Sequence, residues 1–180
     1  MALDSMREIF EKAAAGQIPF WQVILETDME QRQVTAEQSM EKMRVTWQAM
    51  LESVTAYQGT ERSRSGLVGG DGEKMRQYVE NGKGLCGAYL REVVATALSV
   101  GESNACMRKI VAAPTAGACG VLPAVLVPLY QAGIVSEEQI LQALYAASGI
   151  GAVIGYRACI AGAAGGCQAE IGTASAMAAG

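Results

Sequence analysis

Histidine is absent from this sequence, and its absence removes whole classes of chemistry. Ser-His-Asp and Cys-His nucleophilic catalysis within the chain are excluded, as are zinc or non-haem iron centres built on imidazole. Any metal must be held by Cys or by carboxylates. Aromatic residues are scarce, at 6% of the total, whereas glycine occurs 21 times. The core therefore packs by close backbone approach more than around large rings. Positive charge is in short supply as well: 14 Lys and Arg, dispersed along the chain, face 18 Asp and Glu, leaving a net charge of −4. No basic stripe of the kind that binds nucleic acid is present. The start, MALDSMREIF, lacks a basic segment followed by an apolar run, so no secretory signal is read there. The cysteine count is five, an odd number, and the expectation is a reducing cytoplasm with unpaired thiols.

What is present is enough for one ordinary domain: 180 residues, 51% hydrophobic and only 18% charged, which supports a sizeable core and excludes wholesale disorder. Charge is unevenly spread. After Lys109 only Glu137, Glu138, Arg157 and Glu170 are charged, so the second part of the chain is read as mostly interior. Residues 1–62 are read as an N-terminal helical segment and 63–180 as an Ala/Gly-rich catalytic helical core with two small-residue loops, together one continuous domain.

The periodicity is helical throughout, without a convincing two-residue alternation or an internal repeat, and the fold class is all-α. Asp4 or Ser5 caps a helix ending near Gly16, and Pro19 opens a second. Thr35-Ala36-Glu37-Gln38 and Ser136-Glu137-Glu138-Gln139 are capping boxes, in which hydroxyl and amide side chains exchange bonds with orphan backbone donors. The first opens a long run carrying Met40, Met43, Trp47, Met50, Leu51 and Val54 at helical spacing, read as core packing. Further helices are expected over about Glu73–Glu80 and Gly87–Val100, the latter stopped by Gly101. Next come an apolar helix to Tyr130 interrupted by Pro123 and Pro128, one from Ser136 to about Ala147, and two more over Gly151–Ala158 and Gly166–Ala179. The uncharged stretch Gln139–Tyr156 approaches the ~17–25 residues of a spanning helix. Its Ala and Gly contribute little insertion energy and it lacks flanking Trp, so a buried core helix is the better reading. The order Gly149-Ile150-Gly151-Ala152-Val153-Ile154-Gly155 only superficially resembles a dinucleotide fingerprint, because a helical pattern precedes it and the last Gly is one place late.

Three segments carry candidate chemistry. Ser65-Gly66-Leu67-Val68-Gly69-Gly70-Asp71 is a turn-rich loop. Ala113-Pro114-Thr115-Ala116-Gly117 sits just before an apolar helix, where outward-pointing N–H groups receive an anion such as a carboxylate; an ordinary loop-to-helix turn explains it too. Ile160-Ala161-Gly162-Ala163-Ala164-Gly165-Gly166-Cys167-Gln168-Ala169-Glu170-Ile171-Gly172 places a thiol among small residues, open to close approach by something bulky or else a small packing residue.

In the order and separation of these three segments the sequence resembles the α chain of the iron–sulfur-dependent bacterial L-serine dehydratases. The resemblance implies a β-elimination of water from L-serine, giving pyruvate and ammonia without pyridoxal phosphate. It implies a [4Fe-4S] cluster held by three cysteines, its open iron acting as a Lewis acid on the serine hydroxyl. Residue by residue, Cys167 matches the first cluster cysteine, and Thr115, Ala116 and Gly117 match the loop expected to hold the substrate carboxylate. Gly69 and Gly70, with Lys74 after them, line the same site. Cys86, Cys106, Cys119 and Cys159 match no cluster position and are read as packing thiols. The implied partners are L-serine, a β chain and further copies of the α chain, with neither nucleic acid nor membrane. The family's α chains continue past the Cys-Gln-Ala-Glu motif to the other two cluster cysteines. The chain therefore reads as an incomplete α chain, inactive alone, with the catalytic base unassigned and the β chain one place for it. A non-catalytic helical module that keeps the loops without the cluster is the alternative.

Overall fold

The computed structural model describes residues 3–82, 84 and 86–180. Among them every regular element is helical, and the fold is all-α. The helices are α1 (Met6–Gly16), α2 (Phe20–Arg32), α3 (Ala36–Thr55), α4 (Asp71–Glu80), α5 (Ala88–Ala105), α6 (Val121–Gln131), α7 (Glu137–Arg157), α8 (Gly162–Gly165) and α9 (Cys167–Ala179), with a 3-10 turn at Ala116–Ala118. Contacts divide the chain into two compact units, Met1–Trp47 with Ser136–Gly180, and Gln48–Val135. Helix α3 contributes its first part to one unit and its last two turns to the other.

The helix starts follow their local chemistry. Ser5 Oγ accepts the Glu8 amide at the head of α1. At α3 the Gln38 amide bonds Thr35 Oγ1 (3.2 Å) while the Gln38 side chain accepts the Thr35 amide (3.0 Å). Ser136 and Gln139 make the same reciprocal pair at α7. Each such cap stabilises its helix by about 1 kcal/mol.

In the first unit α7 packs on α2 and α9, and α1 on α2. Its core comprises Leu3, Ile9, Val23, Ile24, Leu25, Tyr145 and Val153. A polar chain crosses this core. Ser39 Oγ donates to Asp28 Oδ2 (2.5 Å), which also accepts from Arg32 (2.8 Å). With its only proton committed, Ser39 accepts from the Tyr145 hydroxyl (2.6 Å). Ser39 and Tyr145 are both buried, and every member of the chain is satisfied, which is the condition for such a network to stabilise. In the second unit α4 and α6 both pack on α5, around Val100, Cys119, Leu122 and Val127.

Four expectations are corrected. Gly101 does not stop α5, which continues to Ala105. A Cβ at that position would meet nothing, so the helix absorbs only the ~1 kcal/mol conformational cost of glycine. Neither proline interrupts α6: Pro123 falls in the first turn, whose N–H groups have no intrahelical acceptor, and Pro128 is carried inside the helix. The separate helix from Gly151 is the continuation of α7, unbroken from Glu137 to Arg157. There Gly149 allows the helix onto α2, since a Cβ would stand 2.4 Å from Ile24 Cδ1. Of the thiols read as packing residues, only Cys119 is buried; Cys106 is half-buried, and Cys86 and Cys159 are exposed. No described helix is long and apolar enough to cross a membrane.

Candidate active site

The loop containing Gly69 and Gly70 lies in the second unit and is knotted by its own backbone. Ser63 N donates to Val68 O and Gly66 N to Ser63 O, both at 2.8 Å. Ser63 Oγ accepts the Val68 amide at 3.1 Å. Gly69 and Gly70 have φ of 135° and 84°, a region that side chains disfavour. The space is closed to them as well, because a Cβ on Gly69 would sit 2.3 Å from Glu61 O and one on Gly70 2.8 Å from the Arg62 guanidinium.

Gly70 is the N-cap of α4 and offers no side chain to its orphan amides. That role falls to Glu102 of α5. Its carboxylate accepts the Asp71 amide (2.7 Å), the Gly72 amide (3.2 Å) and the Tyr57 hydroxyl (2.5 Å). Tyr57 in turn accepts the Glu73 amide (3.1 Å). Glu102 is 5% exposed. Three donors and the positive end of the α4 dipole compensate its burial. Burial and, next, the hydrogen bond to Glu102 push the Tyr57 phenol up to about 12. Helix α4 therefore already holds an anion of its own. Lys74 is exposed and pairs with Asp71 (2.8 Å), which holds the Asp71 carboxyl below its ordinary range.

The second loop, also in this unit, begins at a cis Ala113–Pro114 bond. Thr115 is extended and leads into the 3-10 turn, where Ala118 N bonds Thr115 O and Cys119 N bonds Ala116 O. The apolar helix begins only at Val121. The helix thus starts just past the small-residue loop, as the sequence suggests, but the 3-10 turn stands between its N-terminus and Thr115. A single 3-10 turn has almost no macrodipole, so an anion here relies on hydrogen bonds from amides and hydroxyl. Ala116 and Gly117 are exposed, and their amides precede the first bond of the turn. Thr115 Oγ1 is buried without a hydrogen-bond partner, an unmet polar group of the sort a ligand atom or ordered water satisfies. Asn104 Nδ2 of α5 donates to Ala116 O at 3.1 Å.

Cys167 belongs to the first unit. It is the first residue of α9, follows Gly166 at φ 76°, and is exposed. Preceding it, α8 folds tightly onto the chain: a Cβ on Gly165 would lie 2.7 Å from Ala169 Cβ and 2.9 Å from Cys159 O. An accessible thiol at the N-terminus of a thirteen-residue helix suits one thiolate ligand. It does not make a centre, since no group of three His, Cys, Asp or Glu able to hold a metal occurs among the described residues. Tyr57, Glu102 and Asn104 were not anticipated as part of the loop architecture. Ending α5 at Gly101 discarded the turn that bears the last two; a lone carboxylate in a run of Ala, Val and Ser was the available signal.

The model of the serine dehydratase alpha chain matches residues 15–180. The chain belongs to that family. It is similar to the probable L-serine dehydratase alpha chain of Bacillus subtilis, with 36% identity over 97% of this chain and 58% of that protein. It is also similar to the L-serine dehydratase alpha chain of Peptoniphilus asaccharolyticus, with 35% identity over 98% of this chain and 61% of that protein. A shorter stretch, 46% of this chain, is 48% identical to 18% of the L-serine dehydratase TdcG of Escherichia coli. No solved structure matches. This family member spans about three fifths of the length of the alpha chains it resembles.

Proposed function

We propose that, in the whole protein, this chain is the α component of an L-serine ammonia-lyase. That enzyme eliminates water from L-serine and hydrolyses the resulting imine to pyruvate and ammonia. Membership of the serine dehydratase alpha chain family supports the reaction class. The observation that carries the site is the buried, unpartnered hydroxyl of Thr115 beside the exposed Ala116 and Gly117 amides. These three residues take the serine carboxylate, with Gly69, Gly70 and Lys74 bordering the same site. Cys167 is one thiolate ligand of a [4Fe-4S] cluster in an iron–sulfur-dependent dehydration. The described residues supply that ligand and not the remaining set, so the chain by itself is inactive. A β chain, further α copies and a cytoplasmic location complete the proposal.

The test is the two-subunit enzyme reconstituted with iron and sulfide without air and assayed for pyruvate. Cys167→Ala removes turnover and lowers bound iron, whereas Cys86→Ala, also an exposed thiol, leaves both near the parent level. Equal losses from the two would show that the wrong thiol has been chosen. A helical module without catalysis is the second reading. It gains if the reconstituted enzyme binds no iron and makes no pyruvate.

A further inference from the structure

The two loops assigned to substrate share one support. The end of α4 that follows the Gly69-Gly70 turn hangs on Glu102, and the Thr115–Gly117 turn hangs on Asn104. These residues stand two apart in the last turns of α5, about 200° around the helix, so the two loops are tied to different sides of one helix end. Close backbone approaches repeat the pattern upstream. A Cβ on Gly72 would stand 2.8 Å from Ser99 Oγ, and one on Gly120, just past the second loop, 2.9 Å from Ala97 O. Both flanks therefore lie close against the helix, with no room for a side chain between.

We propose that Glu102 and Asn104 are positioning residues, which make the C-terminal turns of α5 the common anchor that sets the spacing of the two substrate-facing loops. The inference rests on the reading of those loops as substrate-facing. The hydrogen bonds distinguish the two anchors. Glu102→Gln replaces one carboxylate oxygen by an NH2 group, which cannot accept from the amide it then faces, so Asp71 or Gly72 loses its acceptor. Asn104→Ala frees Ala116 O from α5 but leaves that carbonyl its bond from Cys119 N (3.3 Å), so the turn persists without its tether.

The experiment combines site-resolved amide hydrogen exchange with serine kinetics on the two-subunit enzyme. Asn104→Ala is expected to speed exchange at Ala118 and Cys119 about tenfold, the equivalent of one lost hydrogen bond, and to leave Asp71 and Gly72 unchanged. Glu102→Gln does the reverse. Asn104→Ala also raises KM for L-serine about tenfold with kcat within about twofold, because a misplaced carboxylate site weakens ground-state and transition-state binding alike. Glu92→Ala, exposed on the same helix, changes none of these. Equal loosening of both loops by either variant, no loosening by either, or loosening with unchanged KM and kcat overturns the anchor. If Glu102→Gln fails to fold, Asn104→Ala decides alone. Loop-specific exchange in an enzyme that never turns over serine refutes the lyase reading while the anchor stands.

Discussion

The Glu102 carboxylate shows how one buried charge organises a helix start that its own sequence leaves uncapped. Gly70 has no side chain to accept the orphan amides, and Glu102 lies more than thirty positions away in sequence, at a distance only folding closes. Its partner Tyr57 records the arrangement in its acidity. The phenol ordinarily ionises near 10 and is held to about 12 in the folded chain. Below pH 10 it is protonated in both folded and unfolded chains, so its contribution is fully present. Between 10 and 12 only the unfolded chain releases the proton, and stability falls as pH rises through that window. Tyr57→Phe should therefore lose less stability than the parent between pH 9 and 11.5, read from urea midpoints across that range. An unchanged slope would mean that Tyr57 does not hold its proton against Glu102. Legibility at this scale was partial: composition marked the Gly69-Gly70 and Thr115 segments as loops and the family resemblance gave them a site, whereas Tyr57, Glu102 and Asn104 have no local signature. An acid in a helix is ordinary until its surroundings are known.

Among the elements, the capping boxes at Thr35 and Ser136 were readable because each is complete within four residues. The glycines were not. Gly101 and Gly149 look alike in sequence, both within Ala-rich helical runs, yet their surroundings differ. Nothing lies within 4 Å of a Cβ on Gly101, while one on Gly149 would stand 2.4 Å from Ile24. Gly101→Ala should raise stability by about 0.5–1 kcal/mol, a gain of a few degrees in Tm for a chain of this size. Gly149→Ala should lower it by about 1–3 kcal/mol, since α7 must shift away from α2 to admit the methyl group. Thermal melts of the pair check both signs, and a loss at Gly101 would mean that α5 does not continue through that residue.

For the whole molecule, the sharp fall in charge after Lys109 is a statement about solvation along the chain, and the division read at 62/63 follows the start of the turn-rich Ser63 loop. The units defined by packing are set by which helices touch, and the first of them joins both chain ends. Helix α3 belongs to both units. Gln48, an exposed residue at the boundary, is therefore the point where a break should be felt most widely. Gln48→Pro removes an interior amide and is expected to cost about 3 kcal/mol, seen as a lower urea midpoint. A midpoint within error of the parent would show that α3 is not continuous there.

The helical character of the chain, the two capping boxes and the three small-residue segments were legible in the sequence, because each depends on residues within a few positions of one another. That local information sufficed for an all-α fold, and the family followed from the resemblance carried by the order and separation of the three segments. The continuity of α5 and α7 through their glycines, the burial of Cys119 against the exposure of Cys159, and the capping of α4 by a residue of α5 were decided only in three dimensions. In each case the outcome depends on what occupies the space beside a residue, and that neighbour comes from a distant part of the chain.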